Sequence, residues 1–384
     1  MPGKRILVIF PYGNLVYSPT IKNLCKLLSA RGHNVRIVYG FQESFGAETP
    51  SLDGVELQNV FYSERTIWLA RRVDKYIWSW MCRFLQDLSP SGVYVRLTIR
   101  EILFSRIIKK ALRTNTFDEL IVVDILPLFW AQRMQIACHF VSLEVGDGLQ
   151  LIRFLETSRI KSVLIQSQER FRRLFDDSQI RRFFVQNTPN FVESTKRTRA
   201  SANLIYNGTA WAPFGVIDLV EFVKKYPEYR LHFKGSVDHY VNGLLKSRYR
   251  ALLDSGVVSC SEAYLDDIEL RDYLADYSIG FCLYDFDDPF IAQRRFNYET
   301  APSGKVFLYL SVGMPVIATR ITAFRFFEKK RAGILIENHK PETIKNAVDT
   351  ILENYKEFSD NALAIGKGLS FDEAAKPFID FVSQ

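Results

Sequence analysis

The chain has 384 residues, of which 47% are hydrophobic, 14% aromatic and 24% charged, and its formal net charge is +7. This composition excludes an intrinsically disordered chain, a collagen and a coiled coil, and it is typical of a globular protein. Because a single hydrophobic core stops growing at roughly 250 to 300 residues, the length predicts two domains.

The cysteines and the apolar runs of the sequence indicate the cellular compartment in which the protein is expected. The five cysteines, at positions 25, 82, 138, 260 and 282, form no C-x-x-C pair and have no histidine at metal-ligand spacing. They indicate neither a disulfide framework nor a zinc site, and a reducing cytosol is the expected compartment. The apolar stretch at 6 to 10 is shorter than a signal-peptide core, and no apolar run is long enough to span a bilayer, so we expect neither secretion nor a transmembrane segment.

The positive charge is concentrated in one segment. Residues 1 to 190 carry a net charge of +9 and the remainder −2, and the segment 62 to 113 alone holds 11 basic and 4 acidic residues. This imbalance predicts a local basic patch with a negatively charged partner.

The first half of the chain alternates between buried strands and amphipathic helices. Apolar runs without polar alternation predict strands at 5–10, 35–39, 119–123, 140–143 and 162–166, and a 3.6-residue period predicts a helix at 18–30. Strands of this kind, separated by helical segments, are typical of a parallel sheet that is covered on both faces.

A polar stretch at 186 to 201 breaks every periodicity, as an inter-domain linker does, and the alternation restarts after it. The predicted strands are 203–206, 230–233, 279–284 and 315–319, with helices at 214–225, 240–253 and 306–312 and closing helices in the tail. The sequence therefore predicts an α/β protein with two doubly wound domains, at 1–192 and 193–368, and a closing helix at 369–384 that packs back on the first domain.

Neither glycine-rich nucleotide fingerprint is present: the loop after the first strand lacks G-x-G-x-x-G, and Gly304-Lys305 lacks the upstream glycine of a P-loop. This argues against a nicotinamide dehydrogenase and a P-loop nucleotidase. Two open parallel sheets that face each other still leave a cleft at the carboxyl ends of their strands, and ligands of such folds bind there.

The segment 301 to 319 (APSGKVFLYLSVGMPVIAT) is the strongest motif. Its Ser-Gly-Lys turn opens a helix and offers backbone N–H groups, a hydroxyl and an ammonium, which together suit a diphosphate. The segment resembles the GT-B-fold glycosyltransferases similar to family 4, in which this helix and strand run P-S-K-L-F-E-Y-L-x-x-G-x-P-V-I-A. Weaker similarities extend over 161–175, 187–189 and 369–382.

The resemblance implies an NDP-sugar donor, UDP- or GDP-linked, and no other cofactor. Lys305 falls at the family lysine that contacts the donor phosphates, and Ser303 with Gly304 forms the turn that presents backbone donors. The family usually has a glutamate for the donor ribose where this chain has Leu308, which weakens the family 4 assignment, and Glu299 is a possible substitute.

Further donor-binding candidates follow predicted strands. Lys234 and Gly235 resemble the turn after the family's second strand and could place another cation on the phosphates, although a solvated surface lysine fits the pattern as well. Tyr284 closes the strand 279–284 and is also expected at the donor. Gly13 and Asn14 occupy the place of a glycine-bearing loop beside the transferred sugar, or they form a plain tight turn.

The candidates for acid–base chemistry are Glu144 and Asp147, which lie just past a predicted strand end. One of them is the expected general base if the enzyme inverts, but an aspartate between two glycines is also common in turns. The cluster 285–288 contains D-x-D, a metal-binding motif of another glycosyltransferase fold. Its position predicts a solvated loop and a metal-independent reaction.

The segment 64 to 88 is strongly amphipathic and carries Trp68, Trp78 and Trp80 beside basic residues. This pattern suits an anionic membrane surface, and it equally suits a core helix of the first domain.

These features predict a cytoplasmic, peripherally membrane-associated hexosyltransferase of polysaccharide biosynthesis at the inner face of the cell membrane. The expected partners are an NDP-sugar and a glycan or lipid-linked glycan, with no nucleic acid. The alternatives are a nucleotide-sugar 2-epimerase of the same fold and a catalytically degenerate GT-B subunit that binds a sugar or a partner enzyme.

Overall fold

The chain forms two compact units. The computed structural model describes residues 3–10, 15, 18–41, 52–61, 64–73, 99–145, 151–152, 155–176, 178–189, 198–263 and 265–384. The first unit contains residues 1–186 and 371–384, and the second contains residues 187–370. The last helix of the chain therefore belongs to the first unit.

The first unit contains a seven-stranded parallel sheet among the described residues, in the order β3-β2-β1-β4-β5-β6-β7. The chain winds outward from β1 to one edge and then returns from β4 to the other, which is a doubly wound arrangement. Its strands are β1 Arg5–Phe10, β2 Asn34–Phe41, β3 Val55–Phe61, β4 Glu119–Val123, β5 Cys138–Val141, β6 Ile160–Ile165 and β7 Arg182–Phe184.

Helices cover this sheet and close its core. They are α1 Pro19–Ala30, α2 Glu64–Val73, α3 Ile99–Thr114, α4 Ile125–Arg133, α5 Gln168–Phe175 and, at the end of the chain, α16 Phe371–Ser383. The apolar side chains of β1 and α1 share one core with Phe371, Phe378 and Val382 of α16. Burial of this apolar stripe attaches the last helix to the first unit.

The described residues of the second unit form a six-stranded parallel sheet in the order β10-β9-β8-β11-β12-β13. Its strands are β8 Asn203–Asn207, β9 Arg230–Lys234, β10 Val258–Ser261, β11 Ile279–Cys282, β12 Val316–Thr319 and β13 Gly333–Ile336. Its helices are α6 Val216–Lys225, α7 His239–Ser247, α8 Arg250–Asp254, α9 Asp267–Leu274, α10 Pro289–Gln293, α11 Arg295–Thr300, α12 Gly304–Ser311, α13 Arg325–Glu328, α14 Pro341–Glu353 and α15 Tyr355–Lys367.

Both faces of the second sheet are buried. Leu204 and Tyr206 of β8 pack into one core, which includes side chains of α6 and α14. Ile205, between them, packs into the opposite core, which is lined by α12 and α13. The prediction of two doubly wound parallel sheets is confirmed, because strands buried on both faces have no polar alternation.

Candidate functional site

The carboxyl edge of the second sheet has a topological switch point between β8 and β11. The chain leaves β8 towards β9 and β10 on one side, and β11, β12 and β13 follow on the other side. In open parallel sheets, ligands bind in the crevice at such a point, outside the carboxyl ends of the strands. The predicted Ser-Gly-Lys turn opens α12, which connects β11 to β12 and begins at this edge.

Lys305 lies at this switch point. Its ammonium donates a hydrogen bond to the Tyr206 hydroxyl at 2.9 Å and lies 4.0 Å from the centroid of the Tyr206 ring and 5.7 Å from that of Phe214. Burial lowers the pKa of Lys305. No carboxylate of the described residues forms an ion pair with this ammonium, so an enclosed cation at the edge of the sheet is available for an anion.

Two glycine turns follow β8 and β9 beside this lysine. Gly208 has a φ of +115° and Gly235 a φ of +120°, a region that side chains rarely adopt. A Cβ on Gly235 would lie 2.7 Å from the Gly208 carbonyl oxygen, and one on Gly208 would lie 3.5 Å from the Lys305 ammonium. Glycine is therefore required for the close approach of the two turns and leaves the backbone bare next to Lys305.

Ser303 and Gly304 form the turn at the start of α12, as predicted. The Ser303 side chain does not cap the helix. Its hydroxyl lowers the pKa of the Cys282 thiol and of the Tyr284 hydroxyl, although burial outweighs this effect at both groups. A Cβ on Gly304 would lie 2.9 Å from Asn187 Nδ2, so close packing explains the glycine at the helix N-terminus.

Lys234 lies at the end of β9, but its ammonium is held on the side of β10. It donates to the Ala263 carbonyl, lies 3.4 Å from Ser261 Oγ and stands 5.3 Å from the centroid of the Tyr273 ring. Burial lowers its pKa. Lys305 lies over β8, so the two predicted phosphate lysines are in different surroundings, and Lys234 is buried rather than solvated.

Tyr284 is buried at the same edge, two residues past β11. Its ring lies 4.4 Å from that of Tyr298, and its backbone N–H donates to Thr319 Oγ1 at 2.8 Å. Burial raises the pKa of its hydroxyl well above the usual range. The tyrosine predicted at the donor site is thus packed among other side chains, and its backbone is held by Thr319 at the end of β12.

A histidine that the sequence did not single out also contacts Thr319. His339 Nε2 is 2.9 Å from Thr319 Oγ1, and its Nδ1 is 3.2 Å from Asp218 Oδ2. A Cβ on Gly215, at the N-terminus of α6, would lie 3.2 Å from the same ring. The positions 218, 319 and 339 are far apart in sequence, and no local motif connects them.

The two positions that the sequence analysis linked to the donor ribose, Leu308 and Glu299, lie in α12 and α11. Leu308 is half-buried and packs against the apolar core of α12, so the chain has no carboxylate there. Glu299 pairs with Arg295 one turn earlier in α11, with Oε1 2.7 Å from Nε. Its role as a substitute for the family glutamate stays a prediction.

The D-x-D cluster has a local structural role. Asp285 Oδ1 accepts the N–H of Asp287 at 3.0 Å, and Asp288 caps α10 by accepting the N–H of Phe290 at 2.8 Å. Side chains of this kind are favoured in turns and at helix N-termini. In the part of the chain that the structure describes, no group of three His, Cys, Asp or Glu residues could hold a metal ion.

In the first unit, Glu144 is exposed past the carboxyl end of β5. Its backbone N–H and that of Leu143 donate to Asp124 Oδ1 at 3.2 and 2.8 Å. The buried Arg170 guanidinium donates to the Leu143 carbonyl at 2.8 Å, and its pKa is lowered by burial, with opposing contributions from Glu144 and Asp124. The edge of the first sheet therefore brings two carboxylates and a buried arginine together.

Asp124 is the residue of this group that sequence reasoning missed. It directly follows β4 and has a φ of +63° and a ψ of 176°, a conformation that is rare for any residue but glycine. Gly13, Asn14 and Asp147 lie outside the described residues. His139, just before the predicted strand 140–143, lies within β5, and its ring nitrogens are within hydrogen-bond distance of Ser162 Oγ and Glu119 Oε2.

The predicted amphipathic helix is described over its first part, α2. Trp68 and Leu69 are exposed there, and the Arg72 guanidinium lies 4.1 Å from the centroid of the Trp68 ring. Residues 74–98, with Trp78 and Trp80, lie outside the described residues. Among the described helices, none combines the length and the hydropathy that a membrane span requires.

No protein-family model matches the sequence, and no curated protein matches it. Solved structures match it over nearly its whole length. E. coli trehalose-6-phosphate synthase bound with UDP-2-fluoro glucose is 9% identical with a TM-score of 0.62, and the match covers 99% of both chains.

Two further structures show the same architecture. S. aureus TarM, in complex with UDP among other ligands, is 10% identical with a TM-score of 0.65 over 99% of this chain and 100% of its own. The sucrose-phosphate synthase of Thermosynechococcus elongatus is 12% identical with a TM-score of 0.64 over 98% and 97%. At these identities the likeness shows the fold: the chain has the GT-B fold.

Proposed function

We propose that the protein is a glycosyltransferase that moves a hexosyl group from an NDP-sugar to a glycan or lipid-linked glycan. The observation that carries the proposal is the half-buried Lys305 ammonium at the switch point, which pairs with no described carboxylate and is bordered by two glycine turns. The solved structures of the same fold include proteins bound with UDP and a UDP-sugar, which supports a nucleotide as the anion.

The proposed reaction breaks the bond between the anomeric carbon of the sugar and an oxygen of the distal phosphate. The electron pair of that bond leaves with the diphosphate, so negative charge develops on the leaving group. In this proposal Lys305 and the backbone N–H groups at the start of α12 stabilise this charge, and such stabilisation is a large contribution in enclosed sites. Since these groups meet the charge of a UDP- or GDP-linked donor, we expect the reaction to proceed without a metal ion.

The acceptor hydroxyl forms the new bond to the anomeric carbon and gives up its proton. In an inverting reaction Glu144 or Asp147 takes that proton as general base. Glu144 suits this role because its side chain is exposed, while its backbone is fixed through Asp124. In a retaining reaction the departing diphosphate stays beside the acceptor and can receive the proton instead.

The acceptor is proposed to lie at the cytosolic face of the cell membrane, in polysaccharide biosynthesis. The support is the segment 62 to 113, with 11 basic and 4 acidic residues and interleaved tryptophans. A basic aromatic segment favours an acceptor with a lipid anchor over a small soluble sugar.

One observation favours a second function, a GT-B subunit that binds a sugar nucleotide without turning it over. Leu308 packs into the core where the resembling family has a carboxylate for the donor ribose. Binding could survive this loss through Lys305, whereas correct placement of the anomeric carbon could fail.

Turnover of a panel of UDP- and GDP-sugars, with lipid-linked and soluble glycan acceptors, tests the proposal. A transferase releases free nucleotide in proportion to the acceptor, and the release persists in EDTA. An epimerase changes the sugar without needing an acceptor, and a degenerate subunit binds the donor without releasing nucleotide. If no acceptor stimulates nucleotide release while a donor binds, the transferase proposal is wrong.

A further inference from the structure

The outward face of α2 has an unusual composition for a solvent-exposed surface. Arg65, Trp68, Leu69 and Arg72 are all exposed and follow the i, i+3, i+4, i+7 spacing of a single helix face. Trp68 is 54% exposed and Leu69 is 56% exposed. Two large apolar side chains therefore point outward between two arginines, where a soluble helix would carry polar residues.

The neighbouring helix α3 extends the positive charge. It packs against α2 and presents Arg106, Lys110 and Arg113 to solvent, again at the spacing of one face. Its one acidic residue, Glu101, is buried. Of the described side chains of α2 and α3, those that are both charged and exposed are all cationic.

The arginine and the tryptophan of α2 are also in direct contact. The Arg72 guanidinium lies 4.1 Å from the centroid of the Trp68 ring, which is within cation–π distance. This pair presents an apolar ring with a cation on its face, a combination suited to the boundary between acyl chains and phosphate headgroups. We infer that α2 and α3 form a docking surface for an anionic lipid bilayer, with Trp68 and Leu69 in the interface and the five cations at the headgroups.

The combination of cations and exposed apolar side chains favours a bilayer over a soluble polyanion as the partner of this surface. A soluble polyanion would contact the cations but would leave Leu69 in water, whereas a bilayer accepts both parts of the surface. The described part of α2 carries its cations and its exposed apolar side chains on one face, as a helix that lies in the interface plane does. It begins three residues after β3, so the surface starts at the carboxyl edge of the first sheet.

The inference rests on the proposed function for its biological purpose, since it names the partner that would bring a lipid-linked acceptor to the enzyme. Its test needs neither donor nor acceptor. The full chain is sedimented with vesicles of phosphatidylcholine alone or with 30% phosphatidylglycerol, at low and at high salt. We expect binding to the anionic vesicles only, weakened by salt.

Two pairs of substitutions separate the components of the surface. The double substitution Arg65→Gln with Arg72→Gln removes two positive charges. It should lower the partition coefficient onto anionic vesicles about thirtyfold, because each cation near an anionic leaflet contributes a factor of roughly five. Trp68→Ser with Leu69→Ser should lower it at least tenfold while leaving the salt dependence in place. These side chains are exposed, so the thermal unfolding temperature should be unchanged.

Matched controls come from the second unit. Ile268 is 63% exposed, and Arg250 is also exposed, so Ile268→Ser and Arg250→Gln remove comparable groups from elsewhere on the chain. They should leave vesicle binding as it is.

The inference is overturned if the wild-type chain does not sediment with anionic vesicles at low salt. It is also overturned if heparin binding depends on the arginines while substitution of Trp68 and Leu69 has no effect on vesicle binding. Nucleotide binding should be unchanged in all four variants, so a failure here is distinct from a failure of the transferase proposal.

Discussion

The carboxyl edges of the two parallel sheets carry opposite chemistry. At the edge of the second sheet, Lys305 contacts a hydroxyl and two aromatic rings, and no described carboxylate forms an ion pair with it. At the edge of the first sheet, Asp124 and Glu144 lie with the buried Arg170, and the Asp124 carboxylate accepts two backbone N–H groups. The same topology therefore places a cation without a described carboxylate partner at one edge and a group of carboxylates at the other.

The contrast follows from what each loop makes possible. Glycines after β8 and β9 bring two turns together and leave bare backbone beside a cation. After β4, by contrast, a strained aspartate organises the backbone of the next loop. An inverting glycosyl transfer needs both a place for the charge of the leaving group and a protein group that accepts the proton of the incoming hydroxyl.

The largest effect should come from the carboxylates of the first unit. Glu144→Gln and Asp147→Asn each remove a candidate base, and the variant that removes the true base should lower kcat about 100- to 10,000-fold. The nucleotide dissociation constant should stay unchanged, because the proposed diphosphate site lies in the second unit. Glu169→Gln, on an exposed face of α5, is the matched control. Full activity in both variants would mean that neither is the base and would leave the retaining route.

Acidification should lower the stability of the two units over different pH ranges. Burial, assisted by the charge of Lys234, lowers the pKa of His232 to about 4. The pKa of this histidine is about 6.5 in the unfolded chain, so below about pH 6.5 the unfolded chain binds a proton that the folded chain does not. The folded state is therefore at its most stable, with respect to this group, above about pH 6.5, and it loses stability as the pH falls towards 4. The loss should approach about 3 kcal/mol in the second unit.

The first unit should respond in a more acidic range. Burial alone would raise the pKa of Glu119, but hydrogen bonds from His139, Lys161 and Lys4 hold it at about 2. The stability from this carboxylate is present above about 4.5 and is lost as the pH falls from 4.5 towards 2. Hydrogen exchange at pH 7, 5 and 3 should show the second unit losing protection first, and His232→Gln should reduce that early loss. Simultaneous loss in both units would contradict the assignment.

Glycine substitutions test the close approach beside Lys305. Gly235→Ala combines a positive φ with a Cβ only 2.7 Å from a carbonyl oxygen and should destabilise the protein by about 2 to 3 kcal/mol. Gly256→Ala has a φ of +71° but no atom within 4 Å, so it should cost only about 1 kcal/mol. Denaturant unfolding measures both, and equal values would show that the approach of the two turns is not tight.

The sequence predicted the central strands well because they are buried on both faces. β1, with the sequence RILVIF, and β4, with ELIVV, are continuous apolar runs after one charged residue, and the predicted bounds of both agree with the structure. The edge strand β3, with the sequence VELQNVF, was not predicted, because its polar residues interrupt the apolar run. The predicted helix at 240–253 is two helices, α7 and α8, which break at positions 248 and 249.

The site was predictable only where a local motif encodes it. The Ser-Gly-Lys turn could be found because three consecutive residues open one helix. His339, Thr319 and Asp218 converge only through the order of the strands, and the positive φ of Asp124 has no sequence pattern. The different surroundings of Lys234 and Lys305 likewise depend on which strand lies beside each of them.

Calorimetric titration of UDP and GDP into Lys305→Met tests the central claim most directly, because methionine keeps the buried stem of the side chain and removes its charge. A charge-assisted contact to phosphate contributes roughly 1.5 to 3 kcal/mol, so the dissociation constant should rise at least tenfold. Lys234→Met, at a lysine held by Ala263 and Ser261, should have a smaller effect, and the exposed Lys356→Met should have none. An unchanged dissociation constant in Lys305→Met, in a protein that still binds nucleotide, would contradict the account.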